Sequence, residues 1–278
     1  IEVDIQEYKG VLPWKAPQKI PFIRGIFNFV DSLVLGMKTL TFSASFFEEE
    51  EEELLTEAEA KKREKNEKIM MNLTVVLSVI IAAGLFMVLP YYLSGLVKHY
   101  TDSRMVMTVC EGLIRVGLFL LYIALISRMK DIQRTFMYHG AEHKCINCVE
   151  HGLPLTVENV LKSSRLHKRC GTSFLFLVML VSIVLHFVFV LVPVYWVRLF
   201  GRLLMVPVVA GISFEIIQWA GRSDSKLADF FSKPGLAMQK LTTKEPTADM
   251  AEVAIRAVEA VFDWKAYLKE EFGVEAEQ

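Results

Sequence analysis

Within fifteen residues, Tyr138 to Gly152 (YHGAEHKCINCVEHG), the chain gathers three histidines, two cysteines and two glutamates. His139 and His143 are four apart, so on a helix they lie one turn apart on one face and can aim both imidazoles at a single cation. Glu142 directly precedes the second histidine. The order His-x-x-Glu-His inverts the His-Glu-x-x-His arrangement of the zincins and is itself a zinc-peptidase signature. In that chemistry the cation acidifies a water and the glutamate takes the proton as general base. A further protein ligand must come from elsewhere. Glu215, in GISFEIIQWAG, is a candidate, because an ionisable group inside an apolar run is costly and faces a partner or a polar cavity. An ion pair with a Lys or Arg of a neighbouring element is the competing account of the same residue.

A second constellation overlaps the first. Cys145 and Cys148 form a Cys-x-x-Cys, His167 and Cys170 form a His-x-x-Cys, and 18 residues separate the pairs. Such pairs read as a closed structural zinc site, four-coordinate and without a position for water. A mixed site, in which His139 and His143 share one cation with His167 or Cys170, is also allowed by the residue types. Gly140, in the middle of the motif, weakens the helix that must display it. His99, His151 and His186 read as ordinary interface or core histidines.

The elements that must position these residues are those of a membrane protein. Of 278 residues, 53% are hydrophobic, and the mean hydropathy is +0.36, unusual for a soluble domain. Lys plus Arg (31) nearly balance Asp plus Glu (32), so no global charge points to nucleic acid. Four apolar runs, Ile69 to Val97, about Val109 to Ser127, about Ser173 to Val197 and about Leu203 to Ala220, are about as long as the ~20 residues a helix needs to cross a bilayer. Pro90 is placed to kink the first. Glu111 and Arg115, at i,i+4 spacing in the second, can pair on one face. Basic residues cluster before the first run (Lys61, Lys62, Arg63, Lys65, Lys68) and between the second and third (Arg128, Lys130, Arg134, Lys144, Lys162, Arg165, Lys168, Arg169). Retention of such residues on the cytoplasmic side places both termini and the motif loop there. In that reducing compartment the four cysteines are thiols or metal ligands rather than disulfides.

The chain therefore reads as mainly α, a polytopic helical membrane protein with about four transmembrane helices and a cytoplasmic metal-motif region. Residues 1–19 form a strand-like segment (IEVDIQ alternates) that needs a partner strand and that the opening at Ile1 rather than Met marks as truncated; no cleavable signal peptide is visible. Residues 20–47 form an interfacial or packed helical segment, 48–68 a charged linker containing the solvated acidic run Glu48 to Glu53, 69–128 the first two spans, 129–172 the His/Cys motif region and 173–220 the last two spans. Residues 221–278 form a C-terminal region in which Met250, Val253, Ala254, Ala257, Val258, Val261 and Phe262 lay an apolar stripe along a helix that docks on the motif region or on a partner. No internal repeat is visible.

At MYHGAEHKCINCVEHGLPLTVENVLKSSRLHKRCGTSFLFLV, with IPFIRGIFNFVDSLVLGMKTL before it and PGLAMQKLTTKEPTADMAEVAI after it, the chain resembles the bacterial membrane proteins grouped as domain of unknown function 1385. The resemblance covers most of the chain and implies a metal-dependent enzyme of the bacterial inner membrane with a site at His139, Glu142, His143, His167 and Cys170. The family pattern begins with a glycine-rich segment ahead of IEVDIQ that this sequence lacks.

Two functions compete. The first is a membrane-embedded hydrolase dependent on a divalent metal, zinc first, acting on a peptide or lipid at the cytoplasmic face of the bilayer, alone or as a homo-oligomer. There His139 and His143 hold the cation, Glu142 activates water, and His167, Cys170 or Glu215 completes the shell. The second is a non-enzymatic, metal-stabilised scaffold, assembly factor or transport component, in which Glu142 only orients a ligand. A weaker third reading, a transporter lined by Glu111, Arg115, His186 and Glu215, has little room in four spans.

Overall fold

The computed structural model describes residues 1, 3–10, 20–45, 57–192, 194–223 and 225–274. The described residues are helical wherever they are regular. Helix α1 runs Ile23–Ser45 and α2 Glu57–Ala83; a π-helical turn, Gly84–Val88, leads into α3, Leu89–Gly95, and a 3₁₀ turn, Leu96–His99. Then follow α4 (Arg104–Ile126), α5 (Lys130–Glu150), α6 (Val157–Lys162), α7 (Gly171–His186), α8 (Tyr195–Arg222), α9 (Lys226–Thr242), α10 (Ala248–Glu259) and α11 (Trp264–Phe272).

Four helical stretches are long and apolar enough to cross a membrane: Ile69–His99, Arg104–Ile126, Gly171–Leu191 and Phe200–Arg222. They coincide with the four runs read from sequence, except that the third ends at Leu191 and Tyr195 already begins α8. Their outward faces expose large apolar side chains, Leu73, Val79, Ile80, Val184 and Leu204 among them, a surface stable only against lipid or another apolar partner. The chain is a polytopic helical membrane protein.

The charged linker expected through Lys68 is helical from Glu57 and continuous with the first span. A run of good helix formers explains the extension. Residues 3–10 form no strand, and no partner strand exists among the described residues; without one, an alternating segment has no ladder to join. Residues 11–19 and the acidic run Glu48 to Glu53 lie outside the described residues. Segment 20–47 contains α1, which is not among the four candidate spans.

The chain divides into two units, with divisions between Glu7 and Tyr8 and inside α4, α7 and α8. In the unit made of residues 8–119 and 182–211, Pro90 has a specific effect. Lacking an N–H, it leaves the Phe86 carbonyl without its i+4 donor. Arg115 on α4 supplies one, Nε to the Phe86 oxygen at 2.9 Å, while its Nη2 reaches Glu111 at 2.9 Å.

In the unit made of residues 1–7, 120–181 and 212–278, α10 packs on α5 and α6. Cys145, Cys148, Val149, Leu155, Val160, Ala251, Ile255, Trp264 and Leu268 form one buried core. The C-terminal helix thus docks on the motif region of its own chain, on a face that keeps Met250, Ala254 and Val258 of the expected stripe and adds Ala251 and Ile255. Met250, Ala251 and Ile255 are buried, whereas Val261 and Phe262 lie beyond the end of α10, 73% and 42% exposed. Thr156, Ser225 and Asp263 cap α6, α9 and α11 by accepting from backbone N–H groups.

Candidate metal centre

Helix α5 carries the motif because its glycine is where the chain after α9 crosses it. A Cβ at Gly140 would stand 2.0 Å from the Lys244 carbonyl oxygen, so only glycine permits this approach. The crossing is fixed by the Lys244 N–H, which donates to the Phe136 carbonyl at 2.9 Å. It carries the Thr242 carbonyl to His139, whose Nδ1 lies 2.9 Å away.

The other side of α5 holds the loop from Leu161 to Leu166 by its carbonyls. His143 Nδ1 meets the Arg165 oxygen at 2.8 Å. Buried Lys144 donates to Leu161 and Ser163 at 2.8 and 2.7 Å, and Asn147 donates to Ser164 and Leu166 at 2.7 and 3.0 Å. Five carbonyls of one loop are thereby satisfied by three side chains of one helix. Arg165 then reaches across to Thr243 and to Glu245 at 3.1 Å. Gln239, fully buried, completes the clamp from α9. Its amide accepts from the His167 N–H at 2.9 Å and donates to the His167 carbonyl and to Ser173 Oγ, both at 2.6 Å.

These clamps bring His139, His143 and Cys170 together, with no two of their ligand atoms more than 4.8 Å apart. Cys170 Sγ lies 3.3 Å from His139 Nε2 and 3.2 Å from Thr172 Oγ1; Thr242 Oγ1 donates to Thr172 in turn at 3.4 Å. A carbonyl only accepts, so Nδ1 of each histidine carries the proton and Nε2 is the nitrogen left for the site. Donors about 3.3–3.6 Å apart are what a tetrahedral zinc at ordinary Zn–N and Zn–S lengths requires. The set fits with a small inward movement of its widest pair. Two imidazoles and a thiolate suit zinc and related borderline-soft cations.

Electrostatics agree with the thiolate. Burial resists ionisation of Cys170, yet hydrogen bonds from His139, His143 and Thr172, and the charge of His139, bring it down to about 5. Burial likewise opposes charge on His139, and the Cys170 sulfur, the Thr242 carbonyl and Glu142 more than offset it, raising its pKa. Free of a cation, the pairing of the two favours a thiolate on Cys170 and charge on His139.

The remaining sequence candidates lie elsewhere. His167 faces Glu150, Nε2 to Oε2 3.2 Å, and Glu150 also binds Arg169; burial lowers the His167 pKa against the pull of Glu150. Cys145 and Cys148 are core thiols, fully buried. Burial, with the charges of Cys148 and Glu142, pushes Cys145 up to about 12, and burial raises Cys148, which donates to the Pro154 carbonyl at 3.4 Å. The two pairs of the four-coordinate alternative are not gathered around one point. Glu215 is half-buried on α8 and outside the cluster; Glu142 is exposed on α5. His151 bonds back to the Asn147 carbonyl at 2.7 Å, His99 is exposed, and His186 is buried within the spans. Sequence reasoning missed Thr172, Gln239, Thr242 and Lys144. The first lay in plain view beside the motif in CGTSF; the others have a meaning only once α9 crosses α5.

The family described as "Protein of unknown function (DUF1385)" matches residues 20–264. The chain belongs to that family. Within the span of the match lie α5, α9 and all three cluster residues. The "Uncharacterized protein YqhQ" of Bacillus subtilis (strain 168) is similar, 38% identical over 245 residues, which cover 86% of this chain and 76% of that protein. No solved structure matches.

Proposed function

We propose that the chain is a membrane-embedded, metal-dependent hydrolase whose centre is His139, His143 and Cys170. The observation that carries this reading is the convergence of two Nε2 atoms and one sulfur, with both histidines oriented by backbone carbonyls. Three protein donors around a tetrahedral cation leave one position for water or substrate. A bound zinc supplies Lewis acidity there and lowers the pKa of water toward neutrality. Thr172 holds the sulfur ionised and directed inward, and Thr242 holds Thr172. Glu142, beside His143 in sequence and near enough to His139 to raise its pKa, is the proton acceptor in this reading, and a peptide or lipid at the membrane is the substrate.

One observation favours a second reading, a non-enzymatic scaffold held together by metal. Glu142 is exposed and accepts no hydrogen bond from the cluster residues, while the cluster itself joins α5 to the start of α7. Elemental mass spectrometry on detergent-purified protein tests both. The parent is expected to carry one metal per chain, lost in folded His139→Ala/His143→Ala. Glu142→Gln is expected to keep the metal and lose hydrolysis of a peptide or lipid library. Metal retained with unchanged function in Glu142→Gln assigns the centre to the scaffold.

A further inference from the structure

The spans carry a second group of charges, independent of the metal centre. Glu111 accepts from Arg202 Nη1 at both oxygens, each 2.7 Å, and from Arg115, so two guanidinium groups face one carboxylate. Arg202 Nε is buried and has no acceptor. Beside it lies a cavity of about 400 Å³, within the size range of small-molecule sites, whose wall includes Arg202, Glu111, Lys98, Asp102, Arg104 and Tyr91. Lys98 and Arg104 are exposed and enter no ion pair among the described residues. Three cations against two carboxylates leave the wall positive, and Arg115 adds to the excess.

An uncompensated charge beside hydrocarbon is costly and calls for a counter-ion. Exposed apolar residues flank the two rim cations in sequence, Leu96 two before Lys98 and Met105 directly after Arg104, a setting that acyl chains fit. We propose that this cavity binds the phosphodiester headgroup of an anionic membrane phospholipid, with Lys98 and Arg104 holding its charge at the rim and the guanidinium charges of Arg202 and Arg115, which the single Glu111 carboxylate does not balance, favouring the anion. The guanidinium fork of Arg104 suits a phosphate better than an ammonium does.

Native mass spectrometry of the purified full chain, exchanged into micelles containing phosphatidylglycerol or phosphatidylcholine, reads this directly. One phosphatidylglycerol per chain is expected, in preference to phosphatidylcholine. Lys98→Gln/Arg104→Gln, whose parent side chains are exposed, should weaken binding about tenfold, with helicity and melting checked by circular dichroism. Glu111→Gln removes the competing carboxylate and should tighten it. Equal binding of the two lipids, or unchanged phosphatidylglycerol binding in the double variant and in Glu111→Gln, overturns the proposal. Displacement of the lipid by millimolar inorganic phosphate also overturns it, in favour of a free-anion site.

Discussion

Cys170 is the residue on which the centre turns, and its ionisation has a measurable sign. Its pKa in the fold, about 5, lies below the ~8.5 of a free thiol. Its contribution to stability is therefore complete above the unfolded value and lost as pH falls through about 5. The raised His139 works oppositely: its contribution is complete below ~6.5 and lost as pH rises through its folded value. In chelator-stripped protein, the Tm difference between the parent and Cys170→Ser is thus expected to be largest near neutrality and to shrink toward zero as pH falls through about 5; a pH-independent difference would contradict the thiolate. At this scale much was readable in advance, because ligand types and the four-residue spacing of His139 and His143 are local facts. Choosing Cys170 over Cys145 and Cys148 was not. All three are cysteines near histidines, and what separates them is burial among apolar side chains in one case and hydrogen-bond donors in the other.

Gly140 shows how an element-scale fact hides in a local rule. As a helix residue it costs about 1 kcal/mol relative to alanine, and as sequence it argued against the motif being displayed on a helix. In the fold it is the place where the Lys244 carbonyl passes over α5. Gly140→Ala would gain helix propensity and still destabilise, by about 1–3 kcal/mol from overpacking, and would displace the Thr242 carbonyl from His139. Loss of metal together with a lowered melting temperature is the expected result; a stabilised, metal-replete variant would refute the crossing. The docking of α10 was legible from its periodicity, and Met250, Ala254 and Val258 of the expected stripe lie in or against the core; Ala251 and Ile255 were not singled out, because they are as apolar as the residues beside them and only the shape of α5 and α6 selects among adjacent faces.

For the whole molecule, the four spans were legible because hydrocarbon thickness imposes length and composition on any helix that crosses it. The basic residues around Lys61 to Lys68 and Arg128 to Arg169 predict which side the connections occupy. Reporter fusions at the C-terminus and at the 98–104 connection check this, with a green fluorescent protein expected to glow at the first and alkaline phosphatase to be active at the second; the reverse pattern would invert the molecule. What composition did not announce is how the first and second spans are tied. Because Pro90 has no N–H to give back, the Phe86 carbonyl that Arg115 holds has no i+4 donor in its own helix to which it can return. Sliding one span along the other would break this bond between Arg115 and the Phe86 carbonyl, in surroundings where lost hydrogen bonds are costly. The bond therefore opposes sliding of the two spans at the level of Phe86 and Arg115.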